Sequence, residues 1–143
     1  MEKKTKVVAL GLISNDKGEI LIIQRSDPKI KDAHLRWDIP GGTNDFGEVL
    51  EDTVKREVLE ETGLEIEIGK LLSKCVTRMW EHEEYLQHTL VFCYLCKVIK
   101  ENPLPHKDHK IADMRWERPE NFYKYDFLPT TSMFIPLAMG RGA

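Results

Sequence analysis

GGTNDFGEVLEDTVKREVLEETGL, running from Gly41 to Leu64, is the stretch whose reading decides the fold. Its second half reads as a helix over Val49–Thr62 that stops at Gly63, a residue suited to the left-handed position that ends helices. Residues three and four apart on a helix face the same way, so Glu57, Glu60 and Glu61 form one acidic stripe. Like charges at such spacings cost about 0.2–0.5 kcal/mol per pair, and anions at a helix C-terminus oppose its dipole. A local rule broken this way points to function, and a divalent cation is the simplest ingredient that relieves it. Gly41 and Gly42 let the backbone ahead of the helix turn tightly or approach a ligand.

The same helix carries Leu50, Val54 and Val58 as a sheet-facing stripe, with Leu59 on the far side, which implies partial cover of both faces. Asp52 and Glu60 each lie four residues from Arg56, so both are placed to pair with it. Glu51 and Asp52 suit the first turn, although no N-cap residue stands out.

Outward from this stretch, the chain alternates strands and turns. Val7–Ser14 reads as a strand, Asn15-Asp16-Lys17-Gly18 as a hairpin turn and Glu19–Arg25 as a second strand. The continuous apolar run Ile20-Leu21-Ile22-Ile23 implies cover on both faces. Ser26–Arg36 is a polar loop, and Trp37-Asp38-Ile39 is a short extended piece held out of helix by Pro40. Leu64–Ile68, Leu71–Met79 and Gln87–Ile99 read as strands, with an acidic hairpin loop around Glu81–Glu84. A loop follows over Asn102–Lys110, then a short strand at Met114-Arg115-Trp116, a helical turn from Pro119 and a short helix over Thr130–Met139. The expected fold is α/β, a mixed β-sheet sandwiched between helices, in a single domain over residues 1–143.

The composition is that of an ordinary globular protein, 41% hydrophobic and 31% charged. A net charge of -3 argues against a large nucleic acid or a membrane surface as partner. The apolar run after Met1–Lys6 is too short for a signal peptide or a membrane span, so a cytoplasmic location is expected. Three cysteines make no disulfide framework. Cys93 and Cys96 form a CxxC, but zinc needs a second pair, and three residues apart on a strand they point to opposite faces. Buried thiols are the expectation. His106 and His109 lie in a polar loop without zinc-spaced partners and are expected to face solvent.

Three carboxylates on one helix face beside accessible backbone form an all-oxygen cluster, which hard cations such as Mg²⁺ prefer. A cation so anchored neutralises phosphate charge and activates water, and an adjacent carboxylate can accept the proton. The chemistry therefore points to metal-assisted phosphate or pyrophosphate hydrolysis. The plainer reading of EVLEDTVKREVLEE is a solvated, salt-bridged helix.

The spacing decides between them. Gly42, five residues, Glu48, seven residues and Arg56-Glu57-Val58-Leu59-Glu60-Glu61-Thr62-Gly63-Leu64 resembles the Nudix box at every fixed position. The resemblance implies a Nudix-type α/β/α sandwich and hydrolysis of a nucleoside diphosphate linked to a group X. It implies Glu57, Glu60 and Glu61 as ligands to Mg²⁺, with Mn²⁺ as a substitute. Glu57 is then the first candidate for base, and the Gly41 carbonyl is a further ligand. Arg56 and Glu48 would hold the loop and helix in shape by ion pairing, with Gly42 and Gly63 as structural positions. Some members take the base from a later loop, where Glu81, Glu83, Glu84, Asp108, Asp113 and Glu117 are available. Family members are often dimers, so a homodimer is one expected assembly.

Outside the box the signals are weaker. Arg25 sits where many Nudix proteins place a phosphate-contacting cation, and Trp37 and Trp80 are candidates for stacking on a base, against core roles for both tryptophans. Arg78 and Lys74 share the face of Trp80 on their strand. The absence of proline between Pro40 and Pro103 counts against the ADP-ribose type, and the upstream glycine of the coenzyme A type is missing. WDIPGG resembles the nucleotide-sanitising members, which favours a nucleoside triphosphate or related nucleotide, with a nucleotide sugar or dinucleoside polyphosphate as alternatives. A domain that binds nucleotides without cleaving them is the rival of different class.

Overall fold

The computed structural model describes residues 1–100 and 108–140; His106 and the first part of the Asn102–Lys110 loop lie outside the described residues. The strands are β1 (Glu2–Ser14), β2 (Ile20–Arg25), β3 (Trp37–Asp38), β4 (Gly41–Thr43), β5 (Glu65–Leu71), β6 (Val76–Glu81), β7 (Tyr85–Lys100) and β8 (Ile111–Glu117). Two α-helices, α1 (Leu50–Thr62) and α2 (Pro129–Ala138), and a 3-10 turn at Pro119–Lys124 complete the described elements. No helix among the described residues is long and apolar enough to cross a membrane.

All eight strands join one mixed sheet. Its main path runs β3-β2-β1-β7-β5, with β4 on β1, β6 on β7 and β8 on β2. Only the β1–β7 pair is parallel, and it is in register from Glu2↔Tyr85 to Ser14↔Lys97. This ladder extends β1 five residues ahead of the expected Val7, because backbone pairing holds Glu2–Lys6 in the sheet despite their polarity. Backbone pairing also makes Gly41–Thr43 a strand rather than a turn, with Leu10↔Gly41 and Val8↔Thr43 as partners.

Side chains on a strand alternate between faces, and two cores result. Ala9, Ile13, Leu21 and Tyr94 pack with Val54 and Val58 of α1. Leu10, Leu12, Ile22 and Val91 pack on the other face with Phe122, Phe127 and Phe134. Ile20–Ile23 is buried throughout, as a strand covered on both sides requires. Cys93 falls in one core and Cys96 in the other, as their spacing predicts. Burial pushes both thiols up, Cys96 to about 12, so they are inert apolar fillers.

Several local expectations need correction. Leu59 is 51% exposed, so α1 buries one face only. The strand expected from Leu71 begins at Val76; Leu72 leaves the sheet edge to bond the Cys93 carbonyl through its N–H. Helix α1 does begin without a side-chain cap, at an extended Val49, and Gly63 ends it at φ 75° with its N–H on the Leu59 carbonyl.

Gly41 is the tightest backbone position. At φ 147°, a Cβ added there would lie 2.3 Å from the Ala9 carbonyl oxygen. Neither atom can yield, since both belong to paired strands. Gly41→Ala is therefore expected to lower stability by about 2–4 kcal/mol, combining overpacking with backbone strain. Urea unfolding measures it, and a loss below about 1 kcal/mol contradicts the packing argument.

Candidate active site

The box residues meet where β4 runs along β1 and α1 returns above it. Arg56 is the hub. Its Nε and Nη2 bond the two oxygens of Glu48 at 2.8 and 3.0 Å, a bidentate fork, and Nη2 also bonds the Thr43 carbonyl at 3.0 Å. Its Nη1 reaches Glu57 at 2.9 Å and Glu60 at 3.4 Å, and Nη2 lies 3.4 Å from Asp45. The expected Arg56–Glu60 pair is present, whereas Asp52 does not pair with Arg56 among the described residues. The fork is occupied by Glu48, Glu57 and the loop, which leaves Asp52 to solvent on the exposed face.

Glu48 also accepts from the Thr53 hydroxyl and the Asp45 N–H, so its side chain ties the loop to the first turn of α1. Asn44 adds bonds to the Glu48 carbonyl and the Thr53 hydroxyl. The Arg56 bond, reinforced by Thr53 and the Asp45 N–H, draws the Glu48 carboxyl down to about 2.

The sequence places the second arginine, Arg25, as a candidate phosphate contact. Arg25 instead bridges two buried carboxylates. Its Nη1 bonds Glu61 at 2.9 Å, while Nε and Nη2 both bond one oxygen of Asp38 at 3.1 Å. Glu61 is 4% exposed, and its other oxygen accepts the Gly41 N–H at 2.9 Å. Burial pushes the Glu61 carboxyl up, against the pull of Arg25 and the Gly41 N–H. Asp38 is equally buried; its second oxygen accepts from the Ile39 N–H at 2.8 Å and from the Thr131 hydroxyl of α2.

These groups open on one cleft of about 490 Å³. Glu57, Glu60, Glu61 and Asp45 form an acidic wall, and Arg25 and Lys110 supply the cationic side chains. Val8, Leu10, Val91 and Leu128 add apolar lining, and Trp80, Gln87 and Thr89 line the cleft from the β6–β7 pair. Trp80 has the Arg78 guanidinium 4.2 Å from its ring centroid. Gln87 is clamped between His82 at 3.2 Å and the Thr89 hydroxyl at 2.8 Å.

Trp37 does not reach this cleft. It is a core residue, 8% exposed, set edge-on to Tyr125 with centroids 4.9 Å apart. Neighbours on a strand face opposite ways, so Asp38 at the cleft turns Trp37 from it. Among the six later acidic candidates, only Asp108 lines the cleft. Asp113 pairs with Arg115, and Glu117 accepts from the Tyr125 hydroxyl. His109 faces solvent, as expected. Asp38, Thr131, Gln87 and Lys110 were not singled out from the sequence. Only Asp38 carried a signal, a charge inside the apolar run Trp37–Pro40.

The donor set fits a hard cation, all carboxylate and carbonyl oxygen. A Cβ at Gly42 would fall 2.4 Å from the Glu57 carboxyl carbon, so the missing side chain there is the space the carboxylate occupies. No three acidic, His or Cys side chains among the described residues converge into a preformed cage. The reason is visible in the contacts: each box carboxylate is turned toward an arginine.

Known proteins resemble this chain in sequence and fold. A family model of the NUDIX domain matches residues 4–136. Over 64 residues the chain is 41% identical to an 8-oxo-dGTP diphosphatase of Haemophilus influenzae, covering 45% of this chain and 46% of that protein. Over 66 residues it is 39% identical to the nucleoside diphosphate-linked moiety X motif 6 protein of Xenopus laevis, covering 46% and 29%. The chain thus spans less than half the length of these curated relatives. The crystal structure of a MutT protein from Methanosarcina mazei Go1 matches with TM-score 0.68 at 26% identity, over 94% of this chain and 92% of that one. A NUDIX hydrolase from Nitrosomonas europaea shares the fold, with TM-score 0.76 at 21% identity over 96% and 90%.

Glu48 gives the loop–helix junction a pH-dependent contribution to stability. A carboxylate whose folded pKa is depressed contributes stability that is complete above its unfolded value, near 4.5, and lost as pH falls toward about 2. The stability gap between the native chain and Glu48→Gln is therefore expected to close as pH drops through that window and to be flat above it. Thermal unfolding across pH measures the gap, and a pH-independent difference rules the linkage out.

Proposed function

Because the chain belongs to the Nudix family, we propose that it hydrolyses a nucleoside diphosphate linked to a group X with the help of a divalent cation, acting as one Nudix domain. The observation that carries this reading is the cleft itself, where all three box glutamates face the same space as Arg25, Lys110 and Trp80. Glu57, Glu60 and Glu61, with the Gly41 carbonyl, are the groups that would hold Mg²⁺, or Mn²⁺ in its place. Bound there, the cation supplies neutralisation of phosphate charge and a more nucleophilic water.

The reaction adds a water oxygen to one phosphorus and breaks its anhydride P–O bond. The bonding pair leaves on the bridging oxygen, and the water proton passes to a carboxylate. Glu57 is the first candidate for that base, held between Arg56 and the bare backbone of Gly42. Asp108 is the alternative that the cleft offers from the later loop. Arg56 and Glu48 act by holding the glutamates in position, while Arg25 and Lys110 face the phosphates.

The substrate we favour is a nucleoside triphosphate, giving a monophosphate and pyrophosphate. Similarity to proteins named as 8-oxo-dGTP diphosphatases supports this class. Trp80 and the apolar lining suit a base, and the cationic side chains suit the phosphates. A small-molecule nucleotide is then the partner, in a cytoplasmic setting, with a homodimer as the assembly.

Product release from a panel of nucleoside triphosphates, nucleotide sugars and dinucleoside polyphosphates, with and without Mg²⁺, tests the proposal. Cleavage that needs Mg²⁺ and favours triphosphates is expected. Tight binding without turnover of any member would identify a nucleotide-binding regulatory domain instead. Glu57→Gln and Glu61→Gln are each expected to lower kcat by about 10²–10⁴-fold. Gly42→Ala should do likewise with little loss of stability, since the new methyl displaces only the flexible end of Glu57. Trp80→Ala is expected to raise KM about tenfold with a smaller change in kcat.

A further inference from the structure

The Arg25 contacts carry a consequence beyond the proposed reaction. Glu61 is the most buried box carboxylate, and both its oxygens are committed, one to the Gly41 N–H and one to Arg25 Nη1. A cation that takes the second oxygen must displace a charge-assisted hydrogen bond. The guanidinium attaches to its two partners through different nitrogens: Nη1 to Glu61, Nε and Nη2 to Asp38. The Glu61 contact can therefore break while the Asp38 contact persists. Asp38 is itself fixed, by the Ile39 N–H and the Thr131 hydroxyl.

We propose that Arg25 is an internal competitor of the cation at Glu61 and that Asp38 is the positioning residue that retains the guanidinium when the cation displaces it. This rests on the reading of Glu61 as a cation ligand. Two buried carboxylates share one guanidinium, so the group is one positive charge short of balance. Asp38 contributes twice to cation affinity: it supplies part of that deficit, and it draws Arg25 from Glu61. Without Arg25, Glu61 remains buried and unpaired, a costly state that a cation relieves. With Asp38 neutralised, Arg25 has Glu61 as its sole anionic partner and the deficit disappears.

The two ends of one ion-pair network therefore have opposite effects, which a purely structural role would not produce. In the full-length chain, free Mn²⁺ measured by electron paramagnetic resonance gives the affinity, and circular dichroism verifies folding. Arg25→Met is expected to bind Mn²⁺ roughly tenfold tighter, and Asp38→Asn roughly tenfold weaker. Arg25→Lys, which loses the fork but keeps the charge, should also bind tighter and serves where the methionine variant does not fold.

Magnetic resonance of the Arg25 side chain separates competition from a through-space charge effect. On saturation with Mg²⁺, the Nη1 signal should move while the Nε–H signal stays at its Asp38-bonded position. An Nη1 signal unmoved at saturation, weaker Mn²⁺ binding by folded Arg25→Lys, or tighter binding by Asp38→Asn would each overturn the competition. Glu61→Gln is expected to lose most Mn²⁺ affinity. Native affinity in that variant would defeat the cation reading at Glu61 itself, a failure distinct from the others.

Discussion

Carboxylates crowded at the end of one helix repel each other, and two arginines from different parts of the chain offset that repulsion. Arg56 rises from the same helix and spans Glu48, Glu57, Glu60 and Asp45. Arg25 arrives from the end of β2 and spans Glu61 and Asp38. The acidic stripe that looks like an uncompensated cost in α1 alone is thus a partly compensated cluster in the fold. Burial decides how strongly each member is held. Glu61 is enclosed and doubly bonded, whereas the Glu60 side chain is 55% exposed and touches Arg56 only at 3.4 Å. Glu60 and Glu61, neighbours in one motif, therefore differ in their freedom to move.

The sheet makes these contacts possible by bringing distant segments into register. Leu10↔Gly41 seats the glycine beside β1, and β2 ends beside β3, which sets Arg25 next to Asp38. From there the chain of bonds crosses from the α1 layer to the α2 layer, through Glu61, Arg25, Asp38 and Thr131. The cleft opens where these layers meet at the edge of β4. Helix α2 is anchored by two fully buried residues, Phe134 in the core and Thr131 on Asp38, so core packing and the site network position it together.

What was legible in the sequence was local. The Gly42–Glu48–Arg56 spacing and the three glutamates lie within one loop and helix, so their mutual geometry follows from helix periodicity. Alternation likewise placed Cys93 and Cys96 in separate cores. The Arg25 partners were not legible, because they lie 13 and 36 residues away and meet only through strand register. Thr131 lies 93 residues from Asp38 and gives no sign of itself in its own segment. Trp37 and Trp80 looked equivalent for a related reason. Which face of a two-residue strand meets the cleft is set by its pairing with Ile23 and Gln24, not by its composition. Polar Glu2–Lys6 joined the sheet because a ladder needs backbone groups rather than apolar side chains.

The charges lining the cleft add a constraint on what can enter it. Among the described residues, seven carboxylates and two cationic side chains line its surface. Opposed to a polyphosphate, such a surface repels more than it attracts, most strongly near the buried carboxylates Glu61 and Asp38 where screening is weakest. One of the two cations, Arg25, is already shared between Glu61 and Asp38, so it offers little free charge until one partner is taken from it. Divalent charge delivered to the acidic wall changes both terms together: it lowers the negative potential and competes for the carboxylate that occupies Arg25. On the proposed reading, such a site would admit phosphate in proportion to the cation it holds. Arg25 would then support the fold in the absence of metal and turn toward phosphate in its presence, while Arg56 keeps its bracing role.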